Sequence, residues 1–478
     1  MAAAIIVLVL ASASASSAAD LGLFSPADSL HSPRQNHMAA LLSDGTVLVV
    51  GGTSDARSAE PVRSCELFHP PVAGGDGTWT LAADFPDSVA VPISGTATTL
   101  ADGTVLVAGG VNLGNELSNV TAVYNGQRDL WTVQGSLSYP RMAHTATLLS
   151  SGFVLVAGGF SDALHEVTST AELYDPVSGL WSLSGELALP RAYHGAGLLL
   201  DDEVIVVGGS TLAGVTAETE IYNVVRGVWA TVGPLNFARQ SFGFIVTTDG
   251  RPIVAGGFVT GTNGLTSAEE YNADTFAWTV IAEAALSTGV GFGCLVEVSS
   301  LVVSIGGFVS NLAETVDLAD VYYLPNPGES WLWAPNDDVL VYARAYATCV
   351  TLQDGRALVI GGQYTDKTYM NGTYTTTLSS AEFFTPISQE VPTTEAPTIP
   401  ATGTPPTLPP TDVPTPTSSP DNGNLGLTII ISAAISVFIV FVIILMGVFY
   451  IRRHSAYDDA ETKPLFVSSD NEPVEPPA

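Results

Sequence analysis

Arginine recurs at one fixed place, seventeen residues before a Gly-Gly doublet, as Arg34, Arg141, Arg191, Arg239 and Arg344. A guanidinium offers two parallel N–H donors to a carboxylate or sulfate, so five of them around one opening could form an anion-binding ring. The units that carry the arginine also carry a glutamate before an aromatic: Glu66, Glu172, Glu220, Glu269 and Glu382. The second unit lacks both and has Pro92 and Ala122 instead; the sixth has Gly289 and Asp320. Joint loss of both partners predicts ion pairs inside each unit, because a charge buried alone is costly. Three residues after three of the arginines stand His37, His144 and His194. Three imidazoles could ligate zinc or copper. Spread over three separate units, they read first as packed, hydrogen-bonded side chains. No Ser-His-Asp arrangement, Cys-x-x-Cys signature or phosphate-binding glycine loop stands out.

The elements that position these residues repeat. Doublets occur at Gly51-Gly52, Gly109-Gly110, Gly158-Gly159, Gly208-Gly209, Gly256-Gly257, Gly306-Gly307 and Gly361-Gly362, in steps of 58, 49, 50, 48, 50 and 55 residues. A period near fifty decides the fold before any local detail. Each doublet closes a short aliphatic run, such as Val105-Leu106-Val107-Ala108. Asp-Gly precedes that run at 44–45, 102–103, 249–250 and 354–355, which predicts two-residue type I′ hairpins. Downstream, a tyrosine is followed seven residues later by a tryptophan: Tyr124 and Trp131, Tyr174 and Trp181, Tyr222 and Trp229, Tyr271 and Trp278. Each unit therefore predicts four short strands, a to d, with the doublet ending strand b. The seventh unit has no tryptophan strand. Residues 23–34 align with Leu180–Arg191, Phe24 taking the place of Trp181, so residues about 21–30 are expected to be its outer strand and to close the ring.

Doublet, tyrosine and tryptophan together resemble the kelch repeat, over roughly residues 20–388. The resemblance implies an all-β, seven-bladed kelch β-propeller. A second resemblance is narrower. Arg191-Ala192-Tyr193-His194-Gly195 is similar to the galactose oxidase segment that carries an axial tyrosine and a copper-binding histidine, which implies Tyr193 and His194 as metal ligands and copper as cofactor. That family also uses a histidine from a later domain and a tyrosine crosslinked to a cysteine, for which Tyr346 and Cys294 are the residues available. The first expectation is instead a module without cofactor or catalytic residues, binding an extracellular protein or glycan. A copper radical carbohydrate oxidase is the alternative. Irregular loops carry function on such scaffolds, so the binding face is expected where the b–c and d–a connections lie. Its candidates are the five arginines with Tyr364, Tyr369 and Tyr374 of the longest b–c connection.

Both ends read as membrane-directed. Residues 1–19 resemble a secretory signal. Residues 389–424 are a Pro/Thr-rich stalk. Leu427–Ile451 has no charge and is long enough to span a bilayer, and Arg452-Arg453-His454 follows it. By the positive-inside rule the sequence predicts a type I plasma-membrane protein with one transmembrane α-helix and a cytoplasmic tail at 452–478. Asn119 and Asn371 are N-glycosylation sequons. Fifteen basic against 47 acidic residues, net −32, leave no basic footprint for nucleic acid. Cys294 and Cys349 both lie twelve residues before a doublet and are expected as buried free thiols, with Cys65 unpaired.

Overall fold

A computed structural model describes residues 21–387, apart from 56–60, 73–74, 113–115, 162–165, 260–263, 283–284, 310–313, 325–329 and 367–373. The expected leader, stalk, membrane span and tail lie outside the described residues. No helix among the described residues is long and apolar enough to cross a membrane.

The described residues form seven four-stranded antiparallel sheets. The third is typical, with strands Thr145–Leu148, Val154–Ala157, Ala171–Asp175 and Leu180–Leu183. Its second strand, VLVA, is buried at every position, because neighbouring sheets cover both of its faces. The outer strand, LWSL, is mostly exposed. First strands of successive sheets adjoin one another in a closed circuit, the seventh meeting the first. In the second to fifth sheets the spaced tyrosine and tryptophan sit opposite each other, as Tyr174 and Trp181 do with ring centroids 5.1 Å apart; Phe68 faces Trp79 in the first. In the sixth sheet the residue opposite Tyr322 is Trp333 rather than Trp331.

The a–b hairpins are not type I′. Gly45 N–H donates to the Leu42 carbonyl, and only the glycine (φ 86°), not Asp44, has positive φ. In five sheets the loop is instead a type I turn closed by a left-handed glycine, a three-residue form with the same strand reversal; Asp202 takes the glycine's place in the fourth sheet, and the sixth has a two-residue turn with Ser299 left-handed.

The outer strand of the seventh sheet is Gly22–Ala27, paired with Ala381–Pro386 so that Phe24 faces Phe384. Asn336 clasps it from the sixth sheet: its Oδ1 accepts from Leu21 and Gly22 N–H, and its Nδ2 donates to the Gly22 carbonyl.

Cys294 and Cys349 form a disulfide between the first strands of the sixth and seventh sheets, with Cα atoms 6.0 Å apart. This corrects the expectation of two free thiols. Counted from the doublets the two cysteines look equivalent, but the hairpin of the sixth sheet is one residue shorter. Cys294 therefore pairs with Ile305, the register of Thr145 with Ala157, whereas Cys349 pairs with Val359, the register of Ala146 with Val156. Side chains at these two registers point to opposite faces. Cys294 thus faces forward to the next sheet and Cys349 faces back. Cys65 is a buried free thiol, its pKa pushed up to about 12, chiefly by burial.

Candidate functional site

All five arginines are buried and occupied, which removes them as a ligand-gripping ring. Arg141 is 0% exposed; its Nη2 donates to Glu172 Oε1 at 2.8 Å, and Nη1 donates to the carbonyls of Gly158 and Thr170. The same pair forms between Arg34 and Glu66 (2.6 Å), Arg191 and Glu220 (2.7 Å), Arg239 and Glu269 (2.7 Å), and Arg344 and Glu382. Each glutamate also accepts backbone N–H groups from the connection arriving from the previous sheet, as Glu172 does from Ser138 and Tyr139. In the sixth sheet Asp320 keeps only that second task, accepting from Ser287. Val290, not Gly289, takes the arginine's backbone place there.

The doublets join sheet to sheet. The second glycine's N–H donates to the carbonyl of the arginine that begins the next sheet: Gly110 to Arg141, Gly159 to Arg191, Gly209 to Arg239, Gly307 to Arg344 and Gly362 to Arg34. Pro92 and Val290 accept from Gly52 and Gly257 in the remaining two joints. The approach is close enough to exclude any other residue. A Cβ on Gly158 (φ 63°) would lie 2.6 Å from the Arg191 carbonyl oxygen and 2.8 Å from His194 Cε1.

The histidines pin the same joints. His37, His144 and His194 pair through Nε2 with Thr348, Thr96 and Thr145 of the preceding sheet, at 2.7, 3.1 and 2.9 Å. Burial, then the charge of the neighbouring arginine, lowers the pKa of His37 to about 3, and burial likewise brings His194 to about 3. A neutral ring that must charge on unfolding contributes stability above its unfolded pKa near 6.5, lost as pH falls toward 3. Between pH 7 and pH 5 the loss should be about 2 kcal/mol per ring. Phe242 packs against Gly208 as His194 packs against Gly158. His194→Phe should therefore fold and show a shallower decline of the urea midpoint over that pH range.

Two residues into each a-strand approach, a non-glycine residue is left-handed: Asn36, Ser94, Ala143, Tyr193, Ser241, Phe292 and Tyr346, with φ from 52° to 57°. Six backbone hydrogen bonds link them around the inner ends of the sheets, from Ser94 to Asn36, Tyr193 to Ala143, Ser241 to Tyr193, Phe292 to Ser241, Tyr346 to Phe292 and Asn36 to Tyr346. Left-handed non-glycine residues are uncommon and concentrate where a fold over-determines its backbone, often at binding sites. Three of the seven are aromatic. Tyr193 meets Phe160 at 5.6 Å and Phe292 at 6.0 Å, and Tyr346 meets Phe292 at 4.8 Å and Phe308 at 5.2 Å. Tyr193 and Phe292 belong to the fourth and sixth sheets, so the rings meet across the centre. Tyr193, Phe292 and Tyr346 are each partly exposed. Burial, and for Tyr346 the nearby Tyr193, raises both phenol pKa values and keeps them as neutral hydroxyls.

The b–c connections frame this patch with added hairpins, Gln363–Asp366 with Tyr374–Thr377 and Ser210–Thr211 with Gly214–Val215. Tyr364 lies in the first of these, partly buried. Tyr369 and Asn371 lie outside the described residues. Asn119 is exposed in a b–c connection.

The residues do not fit the copper set implied by the galactose oxidase resemblance. Tyr193 turns into the axial patch, whereas His194 is buried between the third and fourth sheets with Nε2 on Thr145. Cys294 is held by Cys349 and has no sulfur free to crosslink a tyrosine. Among the described residues, no three His, Cys, Asp or Glu side chains are placed to hold a metal.

No family model matches the chain, and no curated protein matches it. Solved structures do. YjhT aligns at 15% identity with a TM-score of 0.51, over 64% of this chain and 99% of that one. A fungal alcohol oxidase of the AA5 family, in complex with copper, aligns at 16% identity with a TM-score of 0.59, over 77% of this chain and 76% of that one. At such identities the likeness is one of fold, and the fold is the propeller of kelch and galactose-oxidase-like proteins.

Proposed function

We propose that the chain is a type I cell-surface protein whose seven-bladed kelch propeller binds a glycan at its axial aromatic patch, as a recognition or adhesion module without a cofactor. The observation that carries this reading is the patch itself: three partly exposed aromatic residues held left-handed, two with neutral phenols, at the centre of the loop-rich face. Aromatic faces cover the apolar faces of a sugar ring while phenols bond its hydroxyls, the usual division of labour in a small-molecule site. The outward placement rests on the leader, the uncharged 427–451 segment and the basic residues after it.

The test is a glycan array probed with the full-length chain and with Tyr193→Ala/Tyr346→Ala. Binding to a restricted set of glycans, reduced at least tenfold in the double variant, is expected; equal binding by both would end the assignment. Antibody labelling of an N-terminal tag on intact cells checks the topology. The copper oxidase reading has the copper-binding AA5 structure in its favour. Stoichiometric copper in the purified protein, with hydrogen peroxide released from primary-alcohol sugars, would replace the binding reading by that one.

A further inference from the structure

The opposite face, where the a–b and c–d turns lie, carries a groove of about 240 Å³ between the fourth and fifth sheets. One wall is the turn Asp201-Asp202-Glu203, which stands where the first and second sheets have Asp-Gly-Thr. In those turns the aspartate is consumed locally: Asp44 Oδ1 accepts both the N–H and the hydroxyl of Thr46. In the fourth sheet Asp202 (φ 65°) replaces the glycine, and three carboxylates line the groove together. Each takes one neutral donor. Asp201 Oδ1 accepts from Glu203 N–H, Asp202 Oδ1 from Ser150 N–H, and Glu203 Oε1 from Asn223 Nδ2. None of the three is in an ion pair among the described residues.

A second observation points to a ligand. Tyr271, only 3% exposed, lines the groove, and its hydroxyl has no hydrogen-bond partner among the described residues. The matching hydroxyls of Tyr124, Tyr222 and Tyr322 are bonded to Asp129, Ser184 and Glu270. Tyr271 lines the groove together with Asp201 and Glu203, and burial, then the charges of those two carboxylates, pushes its phenol up to about 12. The outer wall is Phe276, 54% exposed and left-handed (φ 54°), where the third and fourth sheets have Gly179 and Gly227.

We propose that this groove binds an arginine side chain presented by a partner polypeptide. A guanidinium is flat enough to lie on the Phe276 ring and offers two parallel donors to a carboxylate, with others left for the Tyr271 oxygen. An ammonium meets the charge but neither the plane nor the fork. This site is separate from the axial patch and does not depend on it.

The full-length chain should give saturation-transfer NMR signals from N-acetyl-arginine amide. These should weaken with salt and be lost when citrulline, its uncharged counterpart, is used. Asp201→Asn/Glu203→Gln should weaken binding at least tenfold. Phe276→Gly should weaken it at least threefold while holding the unfolding midpoint, since glycine suits the turn. Tyr193→Ala/Tyr346→Ala should leave it unchanged. Equal binding of citrulline, equal binding of N-acetyl-lysine amide, or undiminished binding by both groove variants would overturn the proposal.

Discussion

Arg141→Met should lower the stability of the propeller by about 3 kcal/mol or more, because it strands a carboxylate in the dark. Glu172 is 0% exposed and would keep only the N–H groups of Ser138 and Tyr139, while the Gly158 and Thr170 carbonyls would lose their charged donor. Arg141→Met with Glu172→Met should recover at least half of the loss, since the second sheet already lives without the pair, with Pro92 and Ala122 in its place. Chemical unfolding midpoints of the wild type, both single variants and the double variant measure the coupling. Equal midpoints for the single and double variants would mean that the arginine acts through the carbonyls alone.

Removing the disulfide should cost about 4 kcal/mol, the chain-entropy figure for a loop of 55 residues. Cys294→Ala/Cys349→Ala should therefore melt earlier than the wild type, and reductant should lower the wild-type transition but leave the variant's in place. Thiol counting gives an independent reading. The native chain should show no reactive thiol, the denatured chain one (Cys65), and the denatured and reduced chain three. Three thiols on denaturation without reductant would show that the bridge does not form.

Sequence legibility followed chemistry that repeats. The doublets, the tyrosine–tryptophan spacing and the joint loss of arginine and glutamate each report one contact made several times, so their meaning survives variation in any single unit. The closing strand was readable because residues 23–34 keep the pattern of Leu180–Arg191. The disulfide was not, because its prediction hung on counting from the doublet, and the turn between Val298 and Leu301 drops one residue, which reverses the face on which Cys294 stands. The left-handed ring was hidden for a different reason. Asn36, Ser94, Ala143, Tyr193, Ser241, Phe292 and Tyr346 share a backbone conformation and no side-chain property. The groove at Asp201 could be noticed only as a turn in which a second aspartate stands where glycine was expected.

The strand Gly22–Ala27 is the first described segment to be synthesised, and its partner, Ala381–Pro386, is among the last. At ordinary synthesis rates about 360 residues separate them by roughly 20–70 s. The nascent chain can assemble six sheets in order, each from local hairpins, while its leading strand waits unpaired. Pro26, which cannot donate to a ladder, together with short length, makes that strand a poor template for pairing with another chain during the wait. Closure is then the step of highest contact order, and Asn336 of the sixth sheet is positioned to hold the strand's first residues before the seventh sheet exists. The order of synthesis thus makes the ring a latch whose tongue is made first and whose keeper is made last.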